Sequence, residues 1–588
     1  MNAPNGAFQK RARRRTRILA LGLGLWCLGI AVRLFQLQIV QHRYLGTQVI
    51  DQNRHTVKID PARGTIFDRW GQILAQSIPV VSVYYNPDSK ETVDEQVKKL
   101  LRLKPALGLT DTDFVRIADE LRQESHFIYV RRKAAPEAAA RAKALGVPGV
   151  GFQDEVKRFY PQGALAAQVL GGVGTENKGS AGIESKYDEV LRGSTGEMVM
   201  LVDSKGRPYH NEVLREPRPG QDIEVTLDAT IQYIAESALR RAMADQQATW
   251  GTAIVSIPAT GDILAMASAP DYDPNDFGAA DSEATINRAV RFPYEPGSTF
   301  KIVTASAALE NRRVSLTQSF DCRKGLIETA GGSPIRDHKT FGILAFPEVI
   351  TESSNVGAVL VGRQVGSALL FQTMKAFGFG EKTGIELPAE SPGILREPTD
   401  WSRRSLDSIS IGYEINATAL QVLMAANVIA HRGSYVPPRI IKSIAGAPAR
   451  RPARAAESVR VISEQTALAL AGILERVVLE GTGKEAALAG FAVAGKTGTT
   501  QIYDRLLKTY QSSKHIASFV GFVPAEKPEL SIIVVLGDPK KDDYYGGLVA
   551  APIFREIALR ALRAKGIFPR PDAGRAIIAA KADKGQRP

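Results

Sequence analysis

Cysteine and histidine are scarce in this chain, which has 588 residues but only two cysteines and seven histidines. Cys27 lies in an apolar run near the N-terminus, so only Cys322 belongs to the body of the chain. A single cysteine cannot form an intrachain disulfide, and no thiolate metal site can be built around it. The histidines show no ligand spacing such as H-E-x-x-H. The sequence therefore predicts neither a disulfide framework nor a metal site.

Acidic residues are outnumbered: 62 Asp and Glu stand against 75 Lys and Arg, a formal net charge of +13. A basic excess can signal nucleic-acid binding, but no zinc-finger, helix-turn-helix or RNP-type pattern accompanies it here. The excess is concentrated partly at the two ends of the chain. We therefore predict no nucleic-acid partner, and a charged membrane surface or an anionic wall polymer fits the charge better.

Long hydrophobic runs are also few, and the one that is long enough to cross a bilayer lies near the N-terminus. Residues 18–40 would form a helix about 35 Å long, against a hydrocarbon core of about 30 Å. Basic residues precede the run, at Lys10, Arg11, Arg13, Arg14, Arg15 and Arg17. By the positive-inside rule we predict a cytoplasmic tail at 1–17, a single anchor at 18–40 in the cytoplasmic membrane, and an exported, periplasmic body. A cleaved signal peptide is the alternative, but no small-x-small cleavage site follows the apolar core.

Arg33 interrupts the apolar run. A charged side chain is costly when it faces lipid. Arg33 either extends to the outer interface or faces a partner helix in the membrane together with Gln36. The sequence leaves both interpretations open.

The body divides into two predicted domains. Residues 41–220 have mixed helical and polar patterns without a catalytic constellation, which is typical of a structural pedestal. A Pro- and Gly-rich break at 217–220 precedes a larger domain at 221–565. There, the strand–turn–strand pattern at 252–268 and two strongly apolar strands near 520 and 533 predict an antiparallel sheet covered by helices, with a helical subdomain. The fold class is therefore α+β, and the basic tail at 566–588 is predicted to be disordered.

Three polar clusters in the larger domain carry the candidate chemistry, and the first is Ser298 and Lys301 in YEPGSTFK. Pro296 and Gly297 interrupt the chain, so a helix can begin with Ser298 in its first turn. Lys301 then lies on the same helix face, within hydrogen-bond reach of the hydroxyl. A buried lysine can lose its proton and activate a serine hydroxyl as a nucleophile. In isolation, however, this spacing is explained more simply by a capping serine and a solvated lysine.

The second cluster contains Ser353 and Asn355, in VITESSNVGAV. Ser353 can relay a proton between Lys301 and a leaving amine, as general acid–base catalysis requires. The Asn355 amide can donate to and accept from a substrate amide. A capping cluster before a helix is the structural alternative.

The third cluster is Lys496, Thr497, Gly498 and Thr499, which follow the apolar run FAVAG and are expected on an edge strand. An extended peptide can add to such an edge, and Gly498 would let its backbone approach closely. Lys496, Thr497 and Thr499 suit a terminal carboxylate. Backbone N–H groups of Ser298 and Thr499 can form an oxyanion hole. The structural alternative is a polar edge strand with a lysine that guards against aggregation.

Taken in this order, the three clusters resemble the signature of class B penicillin-binding proteins. The resemblance extends to ARGTIFDRWG and KGSAGIE in the pedestal, and to INRAVRFPYEPGSTFK, IGYEINATALQ and VAGKTGTTQ in the larger domain. It implies a pedestal domain followed by a penicillin-binding transpeptidase domain. The implied activity is peptidoglycan D,D-transpeptidation: Ser298 attacks a stem peptide, and a neighbouring stem's amine then takes the acyl group. β-Lactams would acylate Ser298, and no cofactor is implied.

Within the class, the chain is similar to the cell-division (FtsI-like) branch. Gly412 and Tyr413, the segment GDPKKDDYYGGLVAAPIF and the anchor's RLFQLQ carry this similarity. It implies septal cell-wall synthesis, with an FtsW-type membrane glycan polymerase of the shape, elongation, division and sporulation (SEDS) family and other division proteins as partners. The chain departs from the usual family pattern at Gln168, Glu414, Ala419 and Thr500, where His, Gly, Pro and Ala are common.

Other activities remain open. An elongation-type transpeptidase and a D,D-carboxypeptidase would use the same first step. A non-catalytic division scaffold would not need the three intact clusters. A β-lactam sensor would need a cytoplasmic output domain, which the residues before the anchor are too short to supply.

Overall fold

The computed structural model describes residues 6–42, 44, 54–125, 127–202, 208–330, 332–446, 458–504, 509–541 and 543–569. The strands are β1 Arg54–Ile59, β2 Ile66–Phe67, β3 Ile73–Tyr85, β4 Ile128–Ala134, β5 Val150–Phe159, β6 Gly196–Val202, β7 Pro208–Arg215, β8 Ile223–Val225, β9 Trp250–Ser256, β10 Ile263–Ala269, β11 Ser319–Asp321, β12 Leu326–Thr329, β13 Gly332–Arg336, β14 Ile343–Ala345, β15 Ser434–Tyr435, β16 Ile441–Ile444, β17 Val459–Arg460, β18 Ala494–Asp504, β19 Thr509–Val523 and β20 Leu530–Gly537. The helices are α1 Gly6–Phe35, α2 Val93–Leu100, α3 Lys104–Leu107, α4 Asp111–Arg122, α5 Pro136–Ala144, α6 Ala167–Leu170, α7 Gly182–Lys186, α8 Asp188–Arg192, α9 Ala229–Gln246, α10 Arg288–Arg291, α11 Lys301–Glu310, α12 Phe346–Thr351, α13 Asn355–Val365, α14 Ser367–Ala376, α15 Ser405–Ser410, α16 Ala419–Ala430, α17 Glu464–Leu479, α18 Gly546–Val549 and α19 Ala551–Ala564.

Helix α1 and the π-helical turn after it contain the predicted anchor. The helix begins at Gly6 and is followed by the π-helical turn at Gln36–Val40. The apolar side chains of this segment are exposed, and by length and composition the helix can cross a membrane. Arg33 donates a hydrogen bond of 2.9 Å from Nη1 to Oε1 of Gln36, so the polar pair noted in the sequence lies on one helix face.

The chain forms two compact units that are discontinuous in sequence. The first comprises residues 1–61, 80–155 and 194–218, and the second comprises 62–79, 156–193 and 219–588. The linear domain boundary at 220 stays a prediction. The tail predicted to be disordered at 566–588 lies outside the described residues from 570 onward.

The first unit contains an antiparallel sheet in the order β1-β6-β7. Elsewhere in the unit, the end of β3 pairs with β4. Helices α2 and α4 have capping boxes at Thr92 and Thr110, which satisfy backbone N–H groups at their N-termini. Their apolar faces pack with β3 and β4 in a small core that includes Val83, Leu100 and Ile117.

The second unit is built on a five-stranded sheet in the order β10-β9-β20-β19-β18, in which every neighbouring pair is antiparallel. The predicted hairpin at 252–268 is confirmed as β9 and β10. Successive residues of β20 serve different cores: Ile532 packs in the core with α9 and α19, while Ile533 packs in the core with α11, α16 and α17. This period of two places helices on both faces of the sheet. The predicted α+β fold is confirmed, and β18 lies at the sheet edge.

A buried ionic cluster links the two segments that resemble pedestal motifs, both of which lie in the second unit. Arg63 donates from Nη2 to Glu184 Oε2 at 2.8 Å and from Nη1 to Asp188 Oδ1 at 2.7 Å. Arg158 donates from Nε to the other carboxylate oxygen of Glu184. The side chains of Arg63 and Glu184 have no exposed surface. The cluster therefore joins residues more than a hundred positions apart by mutually compensating charges.

Candidate active site

Ser298 lies on a 3-10 turn, Gly297–Phe300, that runs directly into α11. Gly297 has a φ of +54°, which favours glycine at this chain reversal. Ser298 is partly exposed, whereas Lys301, one turn on, has 0% of its surface exposed. The predicted helix start is therefore confirmed, with a tighter first turn than the sequence pattern indicated.

Lys301 points its ammonium group at the segment between α12 and α13. Its Nζ donates to the Ser353 carbonyl at 2.7 Å and to Asn355 Oδ1 at 2.8 Å, with a longer contact of 3.4 Å to Ser353 Oγ. The predicted Lys301–Ser298 hydrogen bond is not among those of the described residues, because these acceptors hold the ammonium instead. The structure nevertheless joins the first and second sequence clusters directly.

Ser353 adopts a left-handed backbone with a φ of +58°. For a residue with a side chain, this conformation costs about 1–2 kcal/mol. The next residue, Ser354, caps α13 by accepting a hydrogen bond of 2.9 Å from the Gly357 N–H. The strained backbone of Ser353 therefore coincides with the position where its carbonyl and its hydroxyl both contact Lys301. Backbone strain of this kind is concentrated at functional sites.

The Asn355 side chain is held at both ends of its amide. Oδ1 accepts from Lys301, and Nδ2 donates to the Arg336 carbonyl at 2.8 Å. These two contacts fix the orientation of the amide. One Nδ2 hydrogen is left over, so only part of the predicted capacity to bind a substrate amide is available in this arrangement.

Lys496 reaches Ser353 from the other side. It lies on β18, has 0% exposed surface, and donates from Nζ to Ser353 Oγ at 2.8 Å and to the Thr497 carbonyl at 3.1 Å. The Ser353 hydroxyl therefore lies between two buried lysines. Thr497 shares a hydrogen bond of 2.8 Å with Thr482, and Thr499 Oγ1 accepts one of 2.9 Å from the Gly546 N–H.

The electrostatics of the two lysines follow from this burial. Burial lowers the pKa of Lys301 to about 7, although the Asp337 carboxylate opposes the shift. Burial, with the nearby charge of Lys301, holds the pKa of Lys496 well below its usual range. Neutral amine is therefore accessible near physiological pH, as a general base requires.

Gly498 is explained by packing within the chain. A Cβ at this position would lie 2.4 Å from Ser518 Oγ and 2.9 Å from Thr299 Cγ2. The glycine thus lets β18 pack against the turn that carries Ser298. The sequence-based reason, space for a substrate backbone, stays a prediction, and the close approach of two elements of the site is a second reason for glycine here.

Sequence reasoning missed Asp337, which directly follows β13. Its carboxylate accepts hydrogen bonds from Ser354 Oγ at 2.9 Å, from the Val356 N–H at 3.1 Å and from the Asn355 N–H. No motif marks this aspartate, because it reaches α13 only through the folding of a hairpin. Among the described residues, no group of three His, Cys, Asp or Glu side chains is arranged to hold a metal ion.

Glu295, three residues before Ser298, was also missed. Its Oε1 accepts from the Glu414 N–H at 2.8 Å and from the Tyr510 hydroxyl at 3.0 Å, and burial raises its pKa to about 7. Its backbone carbonyl accepts from Thr500 Oγ1 at 3.2 Å. Two of the unusual residues, Glu414 and Thr500, therefore meet at Glu295.

The position of Glu414 shows why glycine is usual there. Its φ is +60°, and its side chain pairs with Arg396 and accepts from Ser405 Oγ at 2.6 Å. These contacts offset the backbone strain. Gln168, another departure, is buried and donates from Nε2 to the carbonyls of Pro270 and Ala284.

Models of two known protein families match this chain. The family model "Penicillin binding protein transpeptidase domain" matches residues 251–559, more than half of the chain, and "Penicillin-binding Protein dimerisation domain" matches residues 58–225. The chain belongs to the class B penicillin-binding proteins.

Relatives of this penicillin-binding protein extend over nearly its whole length. Stage V sporulation protein D of Bacillus subtilis is 33% identical, with 92% of this chain and 84% of the relative covered. The probable peptidoglycan D,D-transpeptidase PenA of Neisseria meningitidis is 31% identical, with 94% and 93% covered, and the peptidoglycan D,D-transpeptidase FtsI of Escherichia coli is 29% identical, with 91% and 89% covered. The crystal structure of penicillin-binding protein 3 of Mycobacterium tuberculosis in complex with aztreonam is similar, with a TM-score of 0.66, 28% identity, and 88% and 98% covered.

Proposed function

We propose that this penicillin-binding protein is a membrane-anchored peptidoglycan D,D-transpeptidase that cross-links stem peptides through an acyl-enzyme on Ser298. The observation that carries the proposal is the Ser353 hydroxyl, which lies between the buried amines of Lys301 and Lys496 beside the turn that presents Ser298. Neutral lysine close to a strained serine serves proton transfer better than fold stability.

The reaction proceeds in two acyl transfers. Lys301 takes the proton of Ser298 as Oγ attacks the carbonyl of the penultimate D-alanine. The amide bond to the terminal D-alanine breaks, and its nitrogen receives a proton relayed through Ser353. An amine of a neighbouring stem then attacks the ester, its proton returns to Ser298, and a new amide is the cross-link.

The edge of β18 provides the substrate's binding surface. Thr497 and Thr499, with Gly498 between them, bind the carboxylate end of the donor, with the Lys496 amine behind them. Asn355 orients the donor through its remaining amide hydrogen. Backbone N–H groups of Ser298 and Thr499 stabilise the tetrahedral oxyanion.

The cellular setting follows from the anchor and the relatives' names. The basic residues in the first half of α1, ahead of its apolar run, keep the N-terminus in the cytoplasm and place the catalytic body in the periplasm. Similarity to FtsI of Escherichia coli supports a role in septal synthesis, with an FtsW-type glycan polymerase and other division proteins as partners. An elongation-type role is the second candidate.

Covalent labelling tests the nucleophile. The full chain in detergent is incubated with a fluorescent penicillin, and wild type is compared with Ser298→Ala and with Ser315→Ala, an exposed serine beyond α11. We expect labelling of wild type and Ser315→Ala but none of Ser298→Ala. Label on Ser298→Ala, or none on folded wild type, would overturn the assignment.

A second assay separates transpeptidase from carboxypeptidase. The enzyme is supplied with uncross-linked peptidoglycan strands, and the digested products are identified by mass spectrometry. Cross-linked dimers support the proposal, whereas trimmed tetrapeptides alone would make water the acceptor.

A further inference from the structure

The segment formed by Arg336 and Asp337 grips the N-terminus of α13 at several points. The Asp337 carboxylate accepts from the backbone N–H groups of Asn355 and Val356 and from the Ser354 hydroxyl. Its Oδ1 takes both backbone hydrogens, while Oδ2 takes the hydroxyl. One carboxylate thus satisfies backbone donors that a helix N-terminus otherwise leaves unpaired.

The same segment determines which end of the Asn355 amide faces Lys301. The Arg336 carbonyl accepts from Nδ2 at 2.8 Å, so Oδ1 is the end that accepts from Lys301 Nζ at 2.8 Å. Because Asp337 holds the Asn355 backbone and Arg336 holds its side chain, Asn355 cannot turn without breaking contacts to this segment. The position of the Lys301 amine therefore depends on Arg336 and Asp337 through Asn355.

Asp337 belongs to a small group of charged and titratable side chains near Lys301. The titratable groups that interact electrostatically with Lys301 or Asp337 are Lys496 on β18, the neighbouring His338 and the Cys322 thiol. His338 is also affected by Lys339 and Glu352, which form an ion pair of 2.9 Å with each other. Burial lowers the pKa of His338 and raises that of Cys322, so both are mainly uncharged near neutral pH. Asp337 is thus the anion that acts on the buried Lys301 amine, and the charge of Lys301 acts in turn on Lys496.

We propose that Asp337 is a positioning residue for the acyl-transfer reaction, which fixes the Asn355 amide and supplies the negative charge against which the Lys301 amine holds its proton. The inference rests on the proposed function, since it assigns Lys301 as the base. Asp337 acts through Asn355 and Lys301.

The test measures the acylation rate constant of the full chain in detergent with a fluorescent penicillin between pH 5 and 9. Asp337→Asn retains the size of the side chain but removes its charge, so Lys301 loses its proton more readily. We expect the acidic limb of the pH profile to move down by about half to one pH unit. Displacement of Asn355 should also lower the plateau rate by about tenfold.

Two further variants isolate the positioning role. Asp337→Glu keeps the charge but moves the carboxylate, so the plateau rate should fall while the limb stays in place. Asp228→Asn is the matched control, because Asp228 caps α9 through the N–H groups of Thr230 and Ile231 at 3.0 and 3.1 Å. It should lower the melting temperature without moving the limb.

The inference would be overturned if the acidic limb of the pH profile did not move in folded Asp337→Asn. It would also be overturned if the limb moved by the same amount in Asp228→Asn. If Asp337→Asn does not fold, Asp337→Glu decides: an unchanged plateau rate overturns the positioning role. Failure of the proposed function is distinguishable, because wild type itself would then show no acylation.

Discussion

Two groups of buried ionisable side chains lie in the same compact unit but differ in whether their charges are balanced. Around Glu184, the two cations Arg63 and Arg158 are matched by two anions, Glu184 and Asp188, at hydrogen-bond distance. Around Ser353, two lysines with no exposed surface face each other across one hydroxyl, and the anion near them hydrogen-bonds to α13 instead. The first group compensates its charges and the second does not.

The difference separates structure from reactivity. Removing one member of a compensated buried cluster leaves an unpaired charge in a low dielectric, which is strongly destabilising. In an uncompensated pair of amines, burial favours the neutral form instead, so a lysine becomes a usable base. Although both groups are buried, mutation should therefore lower stability in the cluster around Glu184 and lower the reaction rate at the lysines around Ser353.

The largest expected effect is that of Lys301→Arg. Arginine keeps the positive charge but cannot act as a base in a protein, because its guanidinium group stays protonated. We expect the rate of acylation by a fluorescent penicillin to fall by about a thousandfold or more, the scale of general base catalysis. The control is Lys442→Arg, a half-exposed lysine paired with Glu224, which should acylate like wild type. A loss of less than tenfold in Lys301→Arg would contradict its assignment as the base.

The opposite kind of loss is expected for Arg63→Met. The variant leaves Glu184 and Asp188 short of a partner and should lower the free energy of unfolding by about 3–5 kcal/mol. Denaturant titration followed by tryptophan fluorescence measures it. Arg432→Met removes an exposed ion pair with Glu464 and should cost less than about 1 kcal/mol. Equal losses in the two variants would erase the distinction between the clusters.

Sequence reasoning succeeded where the pattern is local. The alternation in residues 252–268 identified a hairpin, and the three polar clusters in their family order identified the residues that the fold brings around Ser353. The strand character of 494–499 and its place at the sheet edge also followed from one short apolar run.

What the sequence did not reveal depends on contacts between distant segments. Asp337 hydrogen-bonds to Asn355 from 18 positions away through a hairpin that carries no motif. The role of Lys496 toward a carboxylate stays a prediction, but its burial against Ser353 was not indicated by the sequence, because it depends on β18 packing on the turn before α11. The Arg63–Glu184 pair spans 121 positions, so no local pattern could have indicated it.

Gly498→Ala tests whether the close packing of β18 against the turn that carries Ser298 is needed for acylation. The added methyl would meet Ser518 and Thr299 and push β18 away from the Ser298 turn. Because small displacements of reacting groups are costly, we expect a loss of about tenfold to a hundredfold in acylation rate. Gly472→Ala, in α17 with nothing within 4 Å, is the control and should acylate normally. Wild-type acylation by Gly498→Ala would show that the close contact is dispensable.

The pH dependence of acylation should be set by the buried lysines and should not depend on the ionic cluster that contains Arg63. The pKa of Lys301 is about 7 in the fold, below its ordinary 10.5, so the base form is present above pH 7 and is lost as pH falls. At pH 6 we expect about one-tenth of the plateau rate of acylation. Arg63→Met, assayed at a temperature where it is folded, should retain this profile. A flat profile between pH 6 and 8 would contradict the lowered pKa.

The smallest effect on stability and acylation is expected at Glu414, where backbone strain and an ion pair offset each other. Glu414→Gly relieves a φ of +60°, worth about 1–2 kcal/mol, but loses the contacts to Arg396 and Ser405, worth a similar amount. The melting temperature and acylation rate should therefore remain close to wild type. Gln247→Gly, at a φ of +50° on the exposed end of α9, relieves strain alone and should raise the melting temperature. If Glu414→Gly raised it equally, the ion pair would contribute nothing. If it instead slowed acylation more than tenfold, Glu414 would act on the reaction through Glu295, and compensated charge would then serve chemistry as well as structure.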